Sequence, residues 1–155
     1  MKTNYLLPNK YKTLGWILFC IGMVAGIIQV FSGYESYAIT TKVFAIYGDP
    51  YIGDSSFFRV IYNSIVDEIT CIAIIIGGLI IGFTKEKIED EFVYKLRTES
   101  LVWAIIFNYA VLAFTVIFVY DLAFFHILVF NMFTPLIFFI IRFNFLKLKS
   151  GIDEE

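Results

Sequence analysis

From Leu101 to Ile141 the chain carries a single formal charge, Asp121. As one helix this run would be about 60 Å long at 1.5 Å per residue. That is twice the ~30 Å hydrocarbon core of a bilayer. The run must therefore fold back, and the polar break that fits is Tyr120-Asp121-Leu122. Two spans result, 101–120 and 122–141, joined as a tight antiparallel hairpin. Leu14–Phe31 has no charge at all, and Ile65–Phe83 is uncharged from Ile69 onward, leaving Asp67 and Glu68 at the membrane boundary. The expected fold is an all-α membrane protein with four transmembrane helices, 14–31, 65–83, 101–120 and 122–141, in a single integral membrane domain over 1–155.

Composition agrees. Hydrophobic residues make up 59% of the 155-residue chain and charged residues 17%, with a mean hydropathy of +0.79. A soluble domain of this size lacks the interior to hide so much apolar surface. Outer-membrane barrels show short alternating strands, not continuous apolar runs. A cleaved signal peptide is the rival for the first run, but its apolar stretch is long and no A-x-A site follows it, so it is expected to be a permanent span.

The same arithmetic removes several function classes. A net charge of −2 and a pI near 5.4 argue against nucleic acid as a partner, since that needs a basic face. Cys20 and Cys71 both lie inside apolar runs and make no disulfide framework or zinc spacing. The single histidine, His126, rules out a multi-histidine metal site. There is no G-x-S-x-G, no phosphate-binding loop and no Ser/His/Asp set in register. The chain is expected to be no enzyme and to bind no cofactor.

Lysine and arginine placement gives the orientation, because short cytoplasmic loops collect positive charge. Ten of the twelve cations fall in the N-terminal arm, the 84–100 loop and the tail; only Lys42 and Arg59 lie elsewhere. Both termini and the 84–100 loop are therefore expected in the cytoplasm of a multi-pass inner-membrane protein. The outer loop, 32–64, carries turn signals at Gly48-Asp49-Pro50 and Gly53-Asp54. Asp54 or Ser55 could cap a helix over FFRVIYNS that runs into the second span. Its Tyr and Phe residues fit the headgroup level, with the bilayer itself as partner. In the cytoplasmic elbow Ile88, Phe92 and Leu96 repeat at i, i+4, i+8 and Glu91 precedes Lys95 by four, which predicts an amphipathic helix. It is expected to be a solvated elbow or an extension of the third span, or else a docking surface for a cytosolic protein.

Polar and small residues within spans should face the bundle. At about 100° per residue, Gly15, Gly22, Gly26 and Gln29 share a face of the first span, and Asp67, Cys71, Gly78 and Gly82 a face of the second. Both faces carry G-x-x-x-G, the spacing that lets helix backbones approach closely. The first two spans are expected to pack through Gly22, Gly26, Gly78 and Gly82, with Gln29 bonded to Asp67. Asn108 shares a face with Ala104 and Thr115 on the third span, and Asn131 lies mid-membrane on the fourth, one turn before Pro135. The two asparagines are close enough in depth to bond across the hairpin, or to line a path. Asp67, Glu68, Asp121 and His126 gather on the outer side, as interfacial groups or as an ion site.

The stretches NYLLPNKYKTLGWILF (Asn4–Phe19), KEKIEDEFVYKLRTESLVWAIIFNYAVL (Lys85–Leu112) and VFNMFTPLIFFIIRFN (Val129–Asn144) resemble a family of small, uncharacterised bacterial four-span inner-membrane proteins, often encoded beside helix-turn-helix regulators. The resemblance implies topology and a loose regulatory or stress context; it brings no ligand or catalytic residue. Two function classes stand: a non-enzymatic sensing, scaffolding or regulatory protein, and a small homo-oligomeric translocator of ions or solutes. The absence of a mid-membrane charge favours the first.

Overall fold

The computed structural model describes residues 5–32, 39–48 and 56–151. The chain is mostly helical: α1 Lys12–Phe31, β1 Thr40–Gly48, β2 Ser56–Ser64, α2 Val66–Gly82, α3 Glu91–Phe118, α4 Asp121–Asn131 and α5 Thr134–Lys149. Beside the single domain expected over 1–155, it divides into two compact units, one of Met1–Cys20 with Ile74–Glu155 and one of Ile21–Ala73.

Two stretches are long and apolar enough to cross a membrane, Asn9–Phe31 and Glu91–Phe118; a third is present if α4 and α5, bent by 43°, form one span. α2 has 17 residues, about 26 Å of helix, which is shorter than the ~30 Å of a typical hydrocarbon core. The expected third span, 101–120, is the inner part of a 28-residue helix that starts ten residues earlier, where the Asp90 carboxylate caps it by accepting from Val93 N–H at 2.8 Å. From Glu91 on the elbow is thus a continuation of that helix, while 84–90 precede it without helical structure. Its far end falls at the expected break: Val119 and Tyr120 are extended, and Asp121 has a φ of 60°.

The expected fourth span, 122–141, is broken at Met132–Phe133. Pro135 explains the break, since it has no N–H to donate and its ring crowds the carbonyl four residues back, that of Asn131, where α4 ends. The chain crosses the gap with tight bonds, Met132 N–H to Val129 O at 3.3 Å and Phe133 N–H to Phe130 O at 3.0 Å.

In the first unit, α3 packs on α5. Val93, Leu96, Ser100 and Ala104 on α3 are buried, as are Phe139, Ile140 and Phe143 on α5, and Phe107 stacks on Phe138 at 4.5 Å between centroids. α2 is wedged in by its glycines. A side chain on Gly77 would meet Phe19 N at 2.5 Å and Gly15 O at 3.0 Å, so there α1 and α2 touch backbone to backbone.

The second unit corrects the all-α expectation. FFRVIYNS is not a helix running into α2; it forms β2, paired antiparallel with β1 from Thr40↔Ser64 to Gly48↔Ser56. The reason is residue type: aromatic and β-branched Phe, Val, Ile and Tyr favour a pleated ribbon and outweigh a single cap signal. That cap, at Asp54 or Ser55, and most of the turn signals lie outside the described residues. One residue, Ile65, separates β2 from α2, and its N–H bonds Ile39 O at 3.2 Å, closing the base of the hairpin.

Candidate functional site

α5 presents Phe139, Phe143 and Lys147 at i, i+4, i+8, and α3 presents Val93, Arg97, Ser100 and Ala104 on one stripe. Each is a core-facing stripe with a cation in it. A buried cation is costly unless it is paired and hydrogen-bonded. The connection between α2 and α3 supplies the partners, Glu86 and Glu89.

Lys12 Nζ lies 2.5 Å from both carboxylate oxygens of Glu86, and Lys147 Nζ lies 3.3 Å from Oε2 of the same residue. The Glu86 and Lys147 side chains are only 6% and 7% exposed. Beside this triad Arg97 grips Glu89 with both arms, Nη1 to Oε1 at 2.7 Å and Nη2 to Oε2 at 3.2 Å. Nη2 also donates to Thr84 O at 3.2 Å. The guanidinium lies over the Phe143 ring at 5.2 Å, while its Nε is buried without a partner among the described residues. Glu89 Oε2 accepts the Glu86 backbone N–H at 2.9 Å, which joins the two ion groups.

The N-terminal arm is stitched to the same place. Leu7 N–H donates to Phe83 O and Lys85 N–H to Leu7 O, each at 2.9 Å, and Asn9 Nδ2 donates to Lys85 O at 2.7 Å. The start of α1, the end of α2, the start of α3 and the end of α5 are therefore held by one network of three cations and two carboxylates. Such a network in low dielectric rigidifies what it connects. It contains no nucleophile with an adjacent base. Among the described residues no group of three or more His, Cys, Asp and Glu side chains is placed to hold a metal ion.

The residues singled out from sequence are placed as follows. Gly78 and Gly82 meet α5, through Leu136 and Phe139, whereas Gly77 and Gly15 make the close approach between α1 and α2. The phase argument considered two helices, and a third took the glycine face. Gly22 is buried, Gly26 and Gln29 are half-buried, and Asp67 is exposed like Glu68. Glu68, rather than Asp67, has the partner, accepting from Asn63 Nδ2 at 2.5 Å; a Gln29–Asp67 bond is not among those of the described residues. Ala104 and Thr115 are buried, as their shared face with Asn108 requires. Asn108 and Asn131 do not bond each other, because the Oδ1 of each is buried with no partner among the described residues. His126 is exposed. In the elbow, Leu96 is buried while Phe92 stays exposed, and Ile88, also exposed, lies before the start of α3, so the expected helical stripe does not form.

Sequence reasoning missed the ionic network. Its signal was available: Arg97 and Lys147 fall in phase with buried apolar residues, four after Val93 and Phe143 respectively. Compared with family models, with characterised proteins and with solved structures, the chain matches none.

Proposed function

We infer that the chain is a four-span inner-membrane protein with both termini in the cytoplasm, and that it works by sensing, scaffolding or regulation rather than by catalysis. The ionic network supports the topology. α1 begins at it, α2 ends beside it, α3 begins at it and α5 ends at it, which is the pattern of a chain that leaves and returns twice. The three segments rich in Lys and Arg meet there, as the positive-inside bias of cytoplasmic segments requires.

The observation that carries the regulatory reading is the pairing of this lock with exposed apolar residues next to it along the chain. Ile88 and Phe92 are about half exposed and sit among Lys87, Glu91 and Lys95. A cytosolic protein gripping these residues would act on a clamp shared by four helix ends. The test is a photoreactive amino acid at Phe92 in native membranes. A discrete cytosolic partner, lost when Ile88 becomes Asp, supports the reading; self-association alone defeats it.

A second reading has its own support. The amide oxygens of Asn108 and Asn131 are buried without a partner among the described residues, and polar groups within spans mark pathways that open when helices part. Solute flux in vesicles that falls in the Asn131→Leu variant would favour a homo-oligomeric translocator.

A further inference from the structure

We propose that the β1–β2 hairpin lies flat on the lipid surface, with the face bearing Phe44, Ile46, Phe58 and Val60 dipped into the upper acyl region of the leaflet. This rests on the membrane reading above and adds the specific element, face and depth.

Strand pairing sorts the hairpin into two faces. On one, Phe44 opposes Val60 and Lys42 opposes Tyr62, and the Phe58 ring stacks on Phe44 at 6.1 Å. The apolar residues of this face are all exposed: Phe44 is 65% exposed, Ile46 64%, Phe58 69% and Val60 63%. The other face is half-buried at Val43, Ala45, Arg59 and Ile61 and exposed toward the turn, at the Tyr47–Phe57 pair. A two-stranded ribbon is marginal in water unless its apolar face is covered, and no described residue covers this one. Among the described residues the face is thus left for its surroundings to cover.

Three observations favour lipid. The first is composition: aromatic and branched side chains in the middle, with Lys42 and Tyr62 toward the base, where Lys42 Nζ sits 5.5 Å from the Tyr62 ring centroid. An apolar body with amphipathic side chains at its margin is the make-up of a membrane interface. The second is continuity. The same compact unit holds Ile21–Phe31 of α1 and Val66–Ala73 of α2, whose exposed Ile27, Ile28, Ile69 and Ile72 need lipid on the membrane reading, and β2 enters α2 through Ile65 alone. The third concerns depth. Among the described residues neither outer strand edge pairs with a further strand, and hydrocarbon does not tolerate open sheet edges. The backbone must therefore stay among headgroups and water while one row of side chains reaches below it, which is the geometry of a ribbon lying flat.

The experiment uses the full chain with Cys20→Ser and Cys71→Ser, reconstituted into phosphatidylcholine–phosphatidylglycerol vesicles and spin-labelled singly at Ile46→Cys, Val60→Cys, Val43→Cys or Ile61→Cys. Collisions are read with oxygen, which concentrates in lipid, and with a nickel chelate, which stays in water. The proposal expects oxygen to exceed nickel several-fold at 46 and 60 but not at 43 and 61. Nickel access at 46 and 60 overturns it, because the face then stands in water. Loss of access to both reagents, with dipolar broadening between labels, also overturns it, because a second copy then covers the face. Independently, Phe44→Trp in the otherwise natural chain should add a fluorescence component quenched by lipids brominated high in the acyl chain; no added quenching overturns the proposal. These readouts are indifferent to sidedness, so external labelling of a cysteine at Glu89 would defeat the orientation and leave the hairpin result standing.

Discussion

The ionic network and the β-hairpin meet the same physical demand in opposite ways. The network buries Glu86, Arg97 and Lys147 and pairs their charges from within the chain, through four helix ends and the N-terminal arm. The hairpin is tied at its base through Ile65 and Ile39 and leaves its apolar face and both edges for the surroundings to satisfy. Stability of the first should therefore be intrinsic, surviving transfer between detergents. The hairpin should change with whatever solvates it.

The sharpest way to break this contrast is Glu86→Ala. It takes from Lys12 and Lys147 the carboxylate they share, and removing one partner of a buried ion group typically costs about 3–5 kcal/mol. A melt in detergent should drop steeply. Wild-type stability in this variant would mean that the cluster is solvated and the contrast false.

Gly77→Val should come next. Its new methyls would meet the backbone of Phe19 and Gly15, which cannot rotate away, and overpacking costs about 1–3 kcal/mol. Gly78→Val should cost less, because its obstacle is the end of a Leu136 side chain. Equal losses would mean that α1 yields as readily as a side chain does.

Arg97→Lys keeps the charge but gives up the forked grip on Glu89. The expected loss is about 1–3 kcal/mol, from hydrogen-bond acceptors left poorly satisfied. A neutral result would reduce Arg97 to a point charge.

The smallest effects belong to the hairpin side. Asp67→Ala and Glu68→Ala each remove one acidic group from the first turn of α2, where such charges contribute about 0.3–1 kcal/mol. Glu68→Ala should be the larger of the two because it also frees Asn63. Asp67 exceeding Glu68 by a wide margin would restore a buried role for Asp67.

The long-wavelength features were legible in the sequence. Apolar runs gave helices near their observed places, and the break after the third run fell at Val119–Asp121 because no other polar punctuation is available there. What escaped reading was pairwise. Arg97 and Glu86 look like ordinary loop charges until α5 is laid across them, since charge runs are usually solvated. Gly78 and Gly82 were in a packing face, but which helix fills it depends on tertiary order that phase alone does not carry. The hairpin was obscured by a helix-cap signal beside residues whose aromatic and β-branched side chains favour a strand.

Helix lengths carry a consequence for where such a protein would be comfortable. α2 provides about 26 Å of helix, its first turn acidic, and α3 from Leu101 to Phe118 provides about 27 Å. Two rods of nearly the same short reach, one opening on acidic side chains and the other preceded by an internally paired ion lock, gain nothing from tilt, which only shortens the span. A membrane with a core of about 30 Å would have to thin around them, at fractions of a kcal/mol per ångström. On the four-span reading, the chain should partition toward shorter-chain lipids.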